Sequence, residues 1–193
     1  MTLHHSLALG LALYSEFISL LHIYSCIYTN YGFNSLGVSD ALAFDAKNLS
    51  TVNTIELVMK LCKQIIILGE EFSSALRQSL RECVTVGKHT NIVHLGVGSA
   101  RKYIWAHKDY QPWGNKLPLQ CPQCGKLKPW VVTYMQKDKE YRAKCKNGRC
   151  GEVGGRKTRE AILFSFPYPE GISSIKVGGD ACWLEVPIVD QWM

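Results

Sequence analysis

Two cysteine pairs constrain this chain more than any other feature. The first reads Cys121-Pro-Gln-Cys124-Gly125, and after nineteen further residues the second reads Cys145-Lys-Asn-Gly-Arg-Cys150-Gly151. Pairs spaced in this way can bring four thiolates to one tetrahedral zinc ion. The glycine that ends each pair fits such a loop, because the chain must curl with backbone N–H groups pointing at sulfur, a turn that favours positive φ. Four unrelated buried thiols, or two disulfides of a secreted protein, are the competing readings. Neither requires that four of the eight cysteines fall into two glycine-terminated pairs. Cys121, Cys124, Cys145 and Cys150 are therefore the expected zinc ligands. A filled four-thiolate sphere leaves no position for water or substrate, so the expected metal is structural.

Between the pairs, Trp130-Val-Val-Thr-Tyr134 and Tyr141-Arg-Ala-Lys-Cys145 read as short strands joined by the polar turn 136–140. The whole stretch resembles a zinc ribbon, in which two knuckles grip a metal at one end of a small antiparallel sheet. The resemblance covers residues 121–151 and rests chiefly on its Cys-Pro-x-Cys-Gly half; the second pair is wider. Residues 101–120 together with the first knuckle also resemble uncharacterised proteins found as multicopy families in fungi, a likeness that implies no activity.

Charge is concentrated around the same stretch. Residues 101–160 carry fifteen Lys or Arg against five Asp or Glu, whereas the rest of the chain carries seven against eleven. The net charge of +6 therefore belongs to the cysteine region and its approaches. Lys126, Lys128, Arg142, Lys144, Lys146 and Arg149 surround the knuckles, with Trp113 and Tyr141 among them. Cations attract phosphates through counterion release and exposed rings can stack on unpaired bases. These eight residues are the expected contacts to nucleic acid, DNA or RNA. A protein partner, with the lysines as a solvated face and the aromatics as core, is the alternative. No nucleophile elbow, P-loop, His-Glu-x-x-His or carboxylate pair is present, so an enzyme is the lesser expectation and would arise if the chain were a remnant or fragment of a larger one.

The remaining chain reads as helix followed by strands. Residues 7–28 are apolar enough to test as a signal peptide or membrane span, but no Lys or Arg precedes them and Glu16 and His22 interrupt them. On helical spacing Leu9, Leu13, Phe17, Leu20 and Tyr24 line one face, which points to a helix packed in a core, membrane contact being the secondary reading. Residues 28–53 read as a loop. A helix is expected from Ser50 or Thr51 to Leu68 on the spacing of Ile55, Val58, Leu61, Cys62 and Ile65, and another from Glu70 past Leu80, with Gly87 as a C-cap. Asn91–Leu95 reads as a buried strand, and Gly96-Val-Gly98 as a structural turn rather than a cofactor loop. Strand candidates follow at 161–166 and 182–186. The expectation is an α+β protein, with a mainly helical region at 1–100 and a zinc-ribbon-like β region at 101–193. The zinc module occupies 119–152 and the C-terminal strands extend it. The lone cysteines Cys26, Cys62, Cys83 and Cys182 read as free core thiols, which with zinc points to an intracellular setting, nucleus or cytoplasm.

Overall fold

The computed structural model describes residues 39–46, 49–97, 99–153, 156–157 and 163–188. The helix expected over 7–28 and the Gly154-Gly155 turn lie outside these residues. The fold is α+β. Strand β1 (Asp40–Phe44) precedes helix α1 (Thr51–Cys62), which continues as a π-helical turn (Lys63–Ile67). Helix α2 (Phe72–Glu82) and the short α3 (Val84–Gly87) lead into strands β2 (Ile92–Gly96) and β3 (Ser99–His107). A single 3-10 turn (Pro112–Gly114) precedes β4 (Trp130–Met135) and β5 (Glu140–Cys145). Five strands complete the described chain: β6 (Glu152–Val153), β7 (Arg156–Lys157), β8 (Leu163–Pro167), β9 (Ser173–Lys176) and β10 (Ala181–Pro187).

The larger sheet has the order β1-β2-β3-β10-β9, antiparallel throughout. This corrects two expectations. Asp40–Phe44, read as loop for want of periodicity, is an edge strand paired with β2 along its whole length. The C-terminal strands do not all extend the cysteine region: only β8 joins β4 and β5, while β9 and β10 pair into the larger sheet. Short strands of this kind carry no mark of their partner, since strand pairing is chosen by which face each must bury.

Alternation sets that face. Ile92, Tyr103, Trp105, Ile175, Ala181 and Trp183 point to the helices and meet Leu57, Leu61, Leu76 and Leu80 in one core. Trp105 and Trp183 pack edge to face, ring centroids 5.1 Å apart, and Trp183 donates its indole N–H to the Leu80 carbonyl at 3.1 Å near the end of α2. That bond adds to the one the same carbonyl accepts from the Cys83 N–H at 3.4 Å, at a helix end where carbonyls run short of intrahelical partners. Glu71 caps the start of α2, its carboxylate accepting the Ser74 N–H at 3.1 Å. Gly87 is the last residue of α3 and not the expected cap, since α2 is capped at Cys83 and α3 at Lys88; its role is packing, because a Cβ there would sit 2.4 Å from the Trp105 ring.

The buried face of α1 and its π-helical turn is formed by Thr54, Leu57, Leu61 and Ile65, which keeps Leu61 and Ile65 of the expected series but takes Thr54 and Leu57 in place of Ile55. Ile55 is 60% exposed, and Val58 and Cys62 are half-buried. The helix is apolar on both sides, so periodicity alone does not choose which side meets the sheet. Gly69, at φ 69°, ends the π-helical turn. Among the described residues no helix is long and apolar enough to cross a membrane.

Glu185 ties α2 to the sheet. It is 4% exposed, bonds Arg77 of α2 and Arg101 of β3, and accepts the Ser173 hydroxyl at 3.0 Å. Burial opposes its ionisation, but hydrogen bonds from Arg101 and Ser173 and the charges of both arginines outweigh it, holding the carboxyl below its ordinary range. Its stabilisation is therefore complete above the unfolded glutamate value near about pH 4.3 and is lost as pH falls through the lower folded value.

Chemical denaturation tests both features. Gly87→Ala is expected to lower stability by about 1–3 kcal/mol through overpacking against Trp105. Glu185→Gln should lower it by about 2 kcal/mol at neutral pH, since both arginines are partly solvated, with the gap to the parent narrowing as pH is lowered below the unfolded value.

Candidate metal centre

The β4–β5 hairpin presents the four cysteines. Its strands pair in register from Trp130↔Cys145 to Met135↔Glu140, with Lys139 at φ 50° in the turn. Cys145 thus ends β5, and the second knuckle starts where the ladder stops. The chain before β4 folds back on itself: Gln120 bridges Leu127, Cys121 N–H donates to the Lys126 carbonyl at 3.0 Å, and Gly125 N–H donates to the Cys121 carbonyl at 2.8 Å. Both knuckle glycines adopt the left-handed conformation expected of them, Gly125 at φ 69° and Gly151 at φ 88°.

The four thiols converge. All four Sγ atoms lie within 4.8 Å of one another, with Cys121–Cys150 and Cys124–Cys145 each at 3.7 Å. A tetrahedral ion with metal–sulfur bonds of about 2.3 Å has sulfur–sulfur edges of about 3.8 Å. A disulfide requires about 2.05 Å. The donor set therefore fits a four-coordinate metal and not two disulfides. Cys121, Cys145 and Cys150 are buried and Cys124 is half-buried, with the Trp130 ring packed on the cluster.

Donors around Cys124 favour charge on its sulfur. The Asn147 side chain and the Lys126 N–H bond the Cys124 sulfur and pull its thiol down to about 6. Burial pushes Cys145 up to about 12, although the Asn147 N–H points at its sulfur. Lys126 and Asn147 stand two residues after their cysteines in the two knuckles, so both loops aim an amide at sulfur. Asn147 was not singled out from the sequence. Its position two residues after a knuckle cysteine is the signal that marks it.

The other expected site residues divide by sheet face. On β4, β5 and β8, cross-strand registers place Trp130, Val132, Tyr134, Tyr141, Ala143, Phe164 and Phe166 on one side. Val131, Thr133, Arg142, Lys144, Leu163 and Ser165 lie on the other. Tyr141 is half-buried against Trp113, ring centroids 4.8 Å apart, and Trp113 also meets Tyr134 and Tyr168 at 6.3 and 4.7 Å. The two rings expected to stack on bases thus pack against each other, tilted by 44°, and Trp113 meets Tyr134 and Tyr168 edge-on. Trp113 reaches them from the 3-10 turn at φ 47°, held where Gly114 packs onto Ile104 of the larger sheet.

The cations also differ among themselves. Arg142 is bonded to Glu140 and, at 3.0 Å, to Asp138. Lys126, Lys128, Lys144, Lys146 and Arg149 are exposed and have no carboxylate partner among the described residues. Lys144 and Lys146 rim a shallow groove with Arg142 whose floor is Val131, Thr133 and Leu163. His107 and Asp109 form a local turn, Asp109 N–H donating to His107 Nδ1 at 3.1 Å. His94 is a satisfied core residue, its Nε2 2.8 Å from Asp40 and its ring stacked on Phe72.

No protein-family model, curated protein or solved structure matches the chain.

The knuckle geometry predicts an asymmetry between two glycines. A Cβ would meet nothing within 4 Å at either Gly125 or Gly148, but only Gly125 has a left-handed φ. Gly125→Ala should destabilise the metal-loaded protein by about 1–2 kcal/mol, and Gly148→Ala by less than about 0.5 kcal/mol. Thermal denaturation of the two variants checks this.

Proposed function

We propose that residues 119–152 form a zinc ribbon that binds the phosphate backbone of nucleic acid. The observation that carries this reading is the set of exposed cations Lys126, Lys128, Lys144, Lys146 and Arg149, without a carboxylate partner among the described residues, displayed around the four-thiolate cluster. Four tetrahedral thiolates suit zinc or a single iron, and zinc matches a closed, redox-inert structural site. Cys121, Cys124, Cys145 and Cys150 would hold it, supplying folding energy that so small a sheet lacks. A zinc-thiolate site belongs with a reducing compartment, nucleus or cytoplasm.

The inward packing of Trp113 and Tyr141 refines the mode of binding. Contacts run through phosphate rather than through base stacking, so the module accepts DNA or RNA and single or double strands with little preference. Arg142, already balanced by two carboxylates, orders the hairpin and contributes less to phosphate than its neighbours.

A second reading has its own observation. The floor between Lys144 and Lys146 is aliphatic, with Val131 50% and Leu163 55% exposed. That surface favours a protein partner carrying apolar and acidic side chains, bound without nucleic acid.

Elemental analysis of the purified chain should find one zinc, and Cys124→Ser should lose it together with the cooperative unfolding of the module. Binding to a mixed-sequence oligonucleotide should weaken steeply with salt. Lys144→Gln should reduce the slope of log affinity against log salt by about 1, and Arg142→Gln by clearly less. A salt-insensitive affinity, or equal effects of the two substitutions, counts against phosphate contact and for the protein-partner reading.

A further inference from the structure

Two hydrogen bonds fix which way the small sheet points its backbone. Tyr168 N–H donates to the Lys139 carbonyl at 2.9 Å, and this pair continues the β5–β8 register by one rung. Bonded and non-bonded pairs alternate along an antiparallel ladder. Tyr141↔Phe166 and Ala143↔Phe164 are therefore the bonded pairs, and the N–H and C=O groups of Leu163 and Ser165 point away from β5. Lys146 N–H, which donates to the Pro129 carbonyl at 2.7 Å, gives the same parity from the β4 side.

No backbone bond meets those outward groups among the described residues, and Leu163, Ser165 and Pro167 are all exposed. The edge also lacks the charges that commonly guard one. β8 reads Leu-Phe-Ser-Phe-Pro, and its proline only ends it. By contrast β9, an edge of the larger sheet, carries Lys176. β4, the other edge of the small sheet, is flanked at its start, where Lys128 N–H donates to the Leu119 carbonyl at 2.8 Å. Donors and acceptors that repeat every second residue along an open strand are matched by another extended backbone.

The two faces of β8 dictate the side chains such a strand would carry. On one face Phe164 and Phe166 are half-buried, their rings 6.2 Å apart, and aliphatic neighbours would extend their cover. On the other, Leu163 shares a rung with Lys144 and Val131. Lys144 has no carboxylate partner among the described residues. A strand added about 4.8 Å beyond β8 brings an acidic side chain towards its ammonium, whose stem can lie over Leu163. A second copy of the chain would instead bring a matching surplus of positive charge, since residues 101–160 carry fifteen Lys or Arg against five Asp or Glu.

We propose that the outer edge of β8 takes an extended segment of another protein as a fourth strand, with aliphatic residues towards Phe164 and Phe166 and acidic ones towards Lys144. The inference rests on the protein-partner reading of this face and names how that partner binds; it needs no phosphate contact.

Amide-resolved hydrogen exchange on the full chain tests it, with the end-blocked peptide Val-Glu-Val-Glu-Val-Glu as the probe. Without peptide, the Phe164 and Phe166 amides should be protected while those of Leu163 and Ser165 exchange nearly as fast as an unstructured chain. Saturating peptide should slow Leu163 and Ser165 at least about tenfold. N-methylation of one alternate set of peptide amides should weaken binding at least about tenfold, and of the other set far less. Lys144→Gln should weaken it about threefold. Ser165→Pro, which removes an outward N–H, should abolish binding where Ser165→Ala does not, with β4 and β5 amides protected in both. Four results overturn the proposal. Leu163 and Ser165 amides protected without peptide at every protein concentration assign the edge to the chain's own residues, and protection that grows with protein concentration assigns it to a second copy. Binding that neither N-methylated set weakens leaves the protein-partner reading standing and removes strand addition. No binding of the unmodified peptide removes both.

Discussion

The pairing of β3 with β10 is the constraint from which the rest of the architecture follows. Seven residue pairs, from Arg101↔Pro187 to His107↔Ala181, join strands far apart in sequence. Bringing them together closes a long loop, an entropic loss that grows slowly with length and must be repaid by what the closure buries. The burial is substantial: Trp105 and Trp183 meet across this pair, both fully buried, and the indole of Trp183 reaches the end of α2. Glu185, one pleat further along β10, adds Arg77 and Arg101 to the same junction.

That closure also positions the cysteine module. The chain leaves the sheet at His107 and returns at β9, so the knuckles, the β4–β5 hairpin and β8 all lie between two strands of one sheet. Lys108 N–H donates to the Asp180 carbonyl at 3.1 Å, which ties the exit from β3 to the turn between β9 and β10. The 3-10 turn continues the connection, since Gly114 packs on Ile104 while Trp113 enters the tyrosine cluster of the small sheet. A metal at the far end would then fix the knuckles to a hairpin already anchored at its base. Electrostatic display follows from the same arrangement, because the aromatic face is turned inward and Lys144 is left on the outer face.

The aromatic residues illustrate how one composition admits two uses. A basic stretch with interleaved Trp and Tyr reads equally as a stacking platform and as a small core. The registers Tyr134↔Tyr141 and Trp130↔Cys145 put these rings on one face with Phe164 and Phe166. Trp113 then adds its own ring from outside the sheet. Lys144, on the opposite face, has no such packing role.

Local chemistry was legible in the sequence. The spacing of Cys121, Cys124, Cys145 and Cys150, the knuckle glycines and the hairpin between them each depend on residues close in the chain, where the few backbone geometries that satisfy them are known in advance. The α2 helix and strands β2, β4, β5, β8 and β10 were legible for the same reason. Partner choice was not. That Asp40–Phe44 is a strand, that β9 and β10 leave the module, that α1 buries Leu57 rather than Ile55, and that Gly87 makes room for Trp105 were decided only by tertiary structure. Each of these depends on which apolar face meets which across a long sequence separation, and a chain with apolar residues on both sides of a helix or strand does not encode that choice locally.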